Sequence, residues 1–329
     1  MHSIISHKTA FDYYRHFRNI RFNILDKDLQ TKHIDIPLFY DKYQMSDVKN
    51  VAENICNTFP YDVLSKDNKK VHKLNCLKIH KSNLKYPKNS FRKINELVYI
   101  VSPELLFLQL AGTLNFVDLL LAGFELCGNY ALSNNKEEGL NTNVRALTIP
   151  DDILIYLKKI NKINKLCKNI SNAMKAIKLI KENSNSPQES RLYIFLCSPH
   201  YIGGYGISGI FLNRAVELSH EAKSMLPQHT IIPDLSNPKT KIAIEYDSSV
   251  YHEDPRQNQK DKMRINALLH DKWQVFSIVK SHTQNFEYMQ KMALNILKNN
   301  KQPIRIRVQN FEIKSYELFK ALYKRNNYL

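Results

Sequence analysis

Apolar residues recur along the chain in two rhythms. At Ile153, Leu157, Ile160, Ile163 and Leu166 they return at near-helical spacing, which predicts helices with one buried face. In 242–247 (IAIEYD) and 273–280 (WQVFSIVK) they run together or alternate, which predicts strands. Upstream, the same reading predicts helices at 9–18 and 46–58 and strands at 74–80 and 97–101. In SPELLFLQLAG, Ser102 suits an N-cap, Pro103 the first helical position and Glu104 the positive helix end, with Gly112 as the stop. Asn115 can cap a second helix, FVDLLLAGFELCG, closed by Gly128. This pair reads as scaffold. The polar stretch 133–143 reads as a loop, and 151–181 as helical and basic. Its lysines read as a solvated face or as a surface turned to phosphates. A linker at 182–187 leads into the last domain.

That domain opens with a helix at 188–198 and a glycine cluster, YIGGYGISG. Gly204, Gly206 and Gly209 fit GxGxxG, but a helix precedes them where a dinucleotide site needs a strand, so the cluster reads as a loop. Next, 212–220 alternates like a strand, and strands follow at 229–235 and 240–247 around the turn SNPK. A helix at 255–270 precedes the strand 273–280, which is apolar on both faces and so expected to be central and buried. A helix at 286–300 turns Phe286, Met289, Ala293, Ile296 and Leu297 inward. A strand at 302–309 and a helix at 311–323 complete the pattern, without internal repeats.

Composition narrows the classes. The 329 residues suggest two domains, and 43% hydrophobic content suffices for a core. The chain carries 48 Lys+Arg against 31 Asp+Glu, a formal net charge of +17. Such an excess suits an anionic partner, nucleic acid above all, or else a generally lysine-rich surface. Five cysteines lie far apart without CxxC, which excludes the usual zinc spacings and a disulfide framework and fits a reducing compartment. The greasiest segment, 116–126, contains Asp118 and Glu125 and is too short and charged to span a bilayer. With no apolar run of signal-peptide type at the N-terminus, the expected location is the cytoplasm, away from membranes.

Against this basic background, the strand 240–247 ends in carboxylates. Alternation puts Ala243, Glu245 and Asp247 on one face. A hairpin turning near Pro238 and Lys239 would set Asp234 opposite Ala243, with Glu245 its diagonal neighbour at about 7–8 Å. Two carboxylates so placed repel unless a cation joins them, and hard oxygen ligands suit Mg²⁺ (or Mn²⁺). The bland readings are that Asp234 caps a turn, that Glu245 pairs with a lysine, that Asp247 opens the next turn and that Asp261 and Arg264 form a helical i,i+3 pair.

Asp234 after Pro233, then KIAIEYDSSVYH, then DKMRINALLHDKWQVF resembles the PD-(D/E)xK nuclease core, and within it the Vsr-like endonuclease domains. In those families an apolar strand ends in an acid and a His follows. A D-x-x-R-x-x-x-L helix then leads into a G-W-x-V strand. Asp261, Arg264 and Leu268 match the helix; Trp273 and Val275 match the strand, with Lys272 where Gly is usual. Glu189 matches the acid of the first core helix. Asp247 stands at the motif's Lys position, a departure that bears on activity. The resemblance covers about 186–300. Upstream, SPELLFLQLAG with LLLAGFELCGNYAL is similar to AbiEi-like antitoxin-type domains.

The resemblance implies an α/β protein. Residues 1–150 form a mixed α+β module, 151–185 a basic helical linker and 186–329 a nuclease-like mixed sheet flanked by helices. It implies Mg²⁺-dependent hydrolysis of DNA, in phage defence or repair, with DNA favoured over RNA. Asp234, Glu245, the Tyr246 carbonyl and Glu189 (through water) would serve the metal. Asp247 and His252 would assist the attacking water, and Lys260, Lys262 and Arg264 would hold phosphates. The alternative is a non-catalytic nucleic-acid-binding regulator that keeps the fold, with a protein partner of toxin–antitoxin or defence type.

Overall fold

A computed structural model describes residues 2–19, 34–53, 55–56, 59–66, 75–133, 139–165, 167–226, 230–247, 255–303 and 305–324. The chain is of mixed α/β class and divides into two units, 1–180 and 181–328. No helix among the described residues is long and apolar enough to cross a membrane.

The first unit is built on a five-stranded sheet. Its strands are β1 (Ser3–Ile5), β2 (Tyr61–Ser65), β3 (Leu77–Lys81), β4 (Phe91–Lys93) and β5 (Val98–Val101), in the order β3-β2-β1-β5-β4. Helices α1 (His7–Asn19) and α2 (Lys42–Ala52) belong to the same unit. The expected caps form. Ser102 Oγ accepts from Leu105 N to open α3 (Pro103–Leu110), and Asn115 Oδ1 accepts from Asp118 N to open α4 (Phe116–Cys127). Helix α4 is buried from Asp118 to Cys127, so its charges need partners. Glu125 has one: Arg15 of α1 reaches it bidentately at 2.9 and 2.8 Å. Arg18 donates to the Glu125 and Gly128 carbonyls, satisfying the negative end of α4.

Two sequence expectations change here. Within 133–143, Leu140–Thr142 is a strand (β7) paired with β6 (Tyr130–Leu132). The segment read as a linker, 151–185, contributes α5 (Pro150–Ile163) and α6 (Ile170–Ile177) to the first unit. Asn169 separates them at a left-handed φ of +65°. Ile153, Tyr156, Leu157 and Ile160 of α5 are buried, so its apolar stripe packs while its lysines stay exposed.

The second unit opens with α7 (Pro187–Cys197). It then forms a four-stranded sheet in the order β11-β10-β9-β8, from β8 (Phe211–Leu212), β9 (Leu235–Asn237), β10 (Ile242–Asp247) and β11 (Gln274–Val279). Strands β8, β9 and β10 run antiparallel, and β11 runs parallel to β10 after a crossover through α9 (Pro255–His270). The short α8 (His220–Ser224), α10 (Phe286–Asn299) and α11 (Phe311–Tyr323) complete it. One core cluster joins Ala243 of β10, Ala267 and Leu268 of α9, Trp273, Ile231 and Val216.

Local backbone chemistry explains where the expected strands shift. Pro233 has no N–H to give a ladder, so 229–235 does not pair as one strand; β9 begins only at Leu235, and Ile231 makes an isolated bridge to Val216. Asn213, at φ +45°, breaks 212–220 after Leu212. Strand β11 lies at the sheet edge rather than its centre, and Val275 and Phe276 are only half-buried. Phe286 is likewise half-buried, and the described part of 302–309 forms no strand.

Candidate active site

Carboxylates meet at the end of the β9–β10 hairpin away from the turn at 238–241. The observed register pairs Ala243 with Ser236 and Ile244 with Leu235. Carried one residue further it sets Glu245 directly opposite Asp234, not diagonal to it as the assumed hairpin had it. The turn takes four residues, with Lys241 at a left-handed φ of +54°, and that shifts the pairing. Asp234 Oδ2 accepts from Tyr246 N at 2.7 Å, and Asp234 N donates to Glu245 Oε2 at 3.4 Å. Each carboxylate is thus tied to the other's strand.

Glu189 joins them from α7. Ser186 caps that helix through Glu189 N, and the Glu189 side chain folds back so that Oε2 accepts from Asn185 N at 2.8 Å. The sequence S-x-x-E at 186–189 is therefore a helix-start signature as well as a site signal. Glu189 Oε2 also accepts from Asn213 Nδ2 at 2.5 Å. Asn213 ties the site together, because its amide also reaches the Asn183 carbonyl and its backbone N donates to Asp234 O. Nothing local in the sequence marked Asn213; its role needs the left-handed φ and two segments that are distant along the chain.

Burial, and then the Asp234 charge beside it, pushes the Glu189 carboxyl up to about 7. Burial also raises the Asp234 carboxyl, opposed by the Tyr246 N–H and the Arg264 charge. These two acids thus lack full compensation. Glu245 differs: Arg264 of α9 approaches its Oε1 at 3.4 Å and donates to the Ile232 carbonyl at 3.2 Å. The cation expected between Asp234 and Glu245 is here partly supplied by Arg264, in place of the lysine partner of the bland reading.

Of the remaining candidates, Asp247 is exposed at the end of β10, and Lys260 and Lys262 are exposed on α9. Tyr246 is half-buried within β10. Arg264 faces Glu245 instead of standing free for phosphates. His252 and the Asp261 side chain lie outside the described residues. Among the described residues, no group of three or more His, Cys, Asp and Glu side chains is arranged to hold a metal ion. The donor chemistry nevertheless suits a hard divalent cation. Glu245 stands opposite Asp234, and Asp234 and Glu189 have raised proton affinity that a 2+ charge would relieve. Glu245 would have to exchange Arg264 for such an ion.

No protein-family model, curated protein or solved structure matches this chain.

Proposed function

We propose that the second unit is a metal-dependent endonuclease domain that hydrolyses phosphodiester bonds of DNA. The observation that carries this reading is the seating of Asp234 against Tyr246 N beside Glu245, with Glu189 turned toward them from the first helix. Element order supports it: a first helix bearing Glu189, and later a strand that ends in acids (β10), a helix (α9) and a further strand (β11), in the order that the PD-(D/E)xK resemblance implies. So does Lys272, which stands where the resembling motif has Gly and adopts φ +63°, the conformation that favours Gly.

Asp234 and Glu245 would hold Mg²⁺ directly, the Tyr246 carbonyl would add a neutral ligand and Glu189 would act through water. When bound, the ion lowers the pKa of water and stabilises charge on the phosphoryl oxygens. Asp234 is fixed by the Tyr246 N–H, and Glu189 by Asn213 and Asn185, so neither needs reordering at the reacting phosphate. Lys260 and Lys262 project from α9 into solvent, suited to a duplex backbone. Asp247 and His252 would orient the attacking water.

A second reading, a nucleic-acid-binding regulator that has kept this fold, is favoured by the Arg264–Glu245 pair and by Asp247 at the motif's Lys position. On either reading, the AbiEi-like first unit would be a partner-binding module of a toxin–antitoxin or defence system. Calorimetric titration of Mg²⁺ into wild type and Asp234→Ala, alongside cleavage of supercoiled DNA, separates the two. Saturable Mg²⁺ binding lost in the variant, with cleavage, is the expected result. DNA binding without either leaves the regulator.

A further inference from the structure

Two exposed tyrosines of the second unit belong to one connected row of aromatic and basic side chains. On α11, Tyr316, Lys320 and Lys324 follow at four-residue spacing and so line one face, and all three are exposed. The Lys320 ammonium lies 5.1 Å from the centre of the Tyr316 ring, and Phe286 of α10 meets that ring edge-on at 5.2 Å. Lys324 Nζ donates to the Gln284 carbonyl at 3.1 Å, which brings the row to the single-turn helix His282–Gln284. There His282 stacks on Tyr288 at 3.9 Å between ring centres, with the planes 23° apart.

Tyr316 is 46% exposed and Tyr288 40%. A single exposed ring is ordinary. Here each ring is braced by a neighbour and open to solvent elsewhere, so its orientation is set before anything binds and little freedom remains to be lost. Lysines accompany both rings: Lys320 and Lys324 beside Tyr316, and Lys291 one turn beyond Tyr288 on α10. Glu287 and Glu317 adjoin the two tyrosines in sequence, and the lysines outnumber them, in keeping with the chain's net charge of +17. Pre-oriented rings interspersed with ammonium groups complement a polyanion that also carries flat apolar faces. Bases stack on the rings while phosphates meet the lysines. A duplex keeps its base faces stacked on one another, whereas a single strand offers them.

We propose that the face formed by Tyr316, Lys320, Lys324 and the His282–Tyr288 pair binds single-stranded nucleic acid. The face uses none of Asp234, Glu245 and Glu189 and needs no metal. Binding measured in EDTA therefore tests it alone, and Mg²⁺-dependent cleavage tests the endonuclease reading separately.

The test follows the fluorescence anisotropy of a labelled short oligothymidine, and of a duplex of equal length, with the full-length protein in EDTA. The single strand should bind more tightly than the duplex. Tyr316→Leu and Tyr288→Leu should each weaken single-strand binding roughly tenfold and duplex binding little, with the melting temperature unchanged. Lys320→Gln combined with Lys324→Gln should lower the slope of log affinity against log salt by about 1.4, at about 0.7 for each single-strand phosphate contact. The proposal is overturned if the tyrosine variants bind the strand as wild type does. It is also overturned if they lose single strand and duplex alike, because the face would then follow a backbone without stacking on bases. Sedimentation of wild type as a dimer that Tyr316→Leu splits, with strand binding unchanged, would assign the face to a second copy and overturn it too. Should Tyr316→Leu melt early, Tyr288→Leu decides: a weakened single-strand response supports the face, and an unchanged one overturns it.

Discussion

Replacing Glu245 with Gln removes one charge and keeps the side chain's size and hydrogen-bonding atoms. The structure sets the stability effect. The Arg264–Glu245 pair spans 3.4 Å, with side chains 38% and 20% exposed. A pair this open contributes no more than about 1 kcal/mol, and the freed Arg264 remains hydrated and bonded to Ile232 O. The loss is offset by removing a negative charge beside Asp234, whose carboxyl burial already raises. The net change should lie within about 1 kcal/mol, or roughly 2–4 °C in the melt. A fully buried partner would instead cost about 3–5 kcal/mol. Catalysis should respond far more strongly. Losing about 3 kcal/mol of transition-state stabilisation at the cation site lowers Mg²⁺-dependent cleavage by more than about 100-fold. Thermal melts with and without Mg²⁺, run beside a DNA cleavage assay, read both effects. Wild type should gain stability from Mg²⁺ and Glu245→Gln should not. A variant that melts many degrees early yet still cleaves DNA would refute the reasoning, because Glu245 would then be a strut and not a ligand.

Trp273 is 3% exposed in the cluster with Ala243 and Leu268, so Trp273→Ala should destabilise the second unit by about 3–5 kcal/mol; an unchanged denaturant midpoint would remove it from the core. The net charge of +17 predicts nucleic-acid affinity that falls steeply as salt rises, checked by binding across a salt series. In the first unit, His7 stacks on His80 at 3.6 Å, and burial, with the His80 charge, lowers its pKa from 6.5 to about 3. The folded state therefore holds His7 neutral, and its contribution, complete above pH 6.5, is lost as the pH falls toward 3. Between pH 6.5 and 5 that amounts to at most about 2 kcal/mol. His7→Phe keeps the stacked ring without the proton, so denaturation across this range should show a shallower pH slope than wild type; equal slopes would contradict the burial argument.

Short-range chemistry was legible in the sequence. The caps at Ser102 and Asn115, the helix at 311–323 and the apolar start of β10 formed as their residues direct, because each depends on neighbours within a turn or on simple alternation. Asp234, Glu245 and Glu189 could be chosen as candidates because acids amid apolar or capping residues stand out in a basic chain. Contacts distant in sequence were not legible. The Asp234–Glu245 register depended on a left-handed Lys241, and the Glu189 clamp on a left-handed Asn213, backbone states that most sequences avoid and no local pattern announces. Arg264 reads on its helix as a phosphate contact or as an i,i+3 partner of Asp261, and only the packing of α9 on β11, beside β10, turns it to Glu245. The basic segment 151–185 read as a linker; the place of its helices α5 and α6 in the first core was decided by the faces of α3 and α4 that needed covering. Periodicity reports which face of an element is buried, whereas the partner that buries it is chosen by the whole chain.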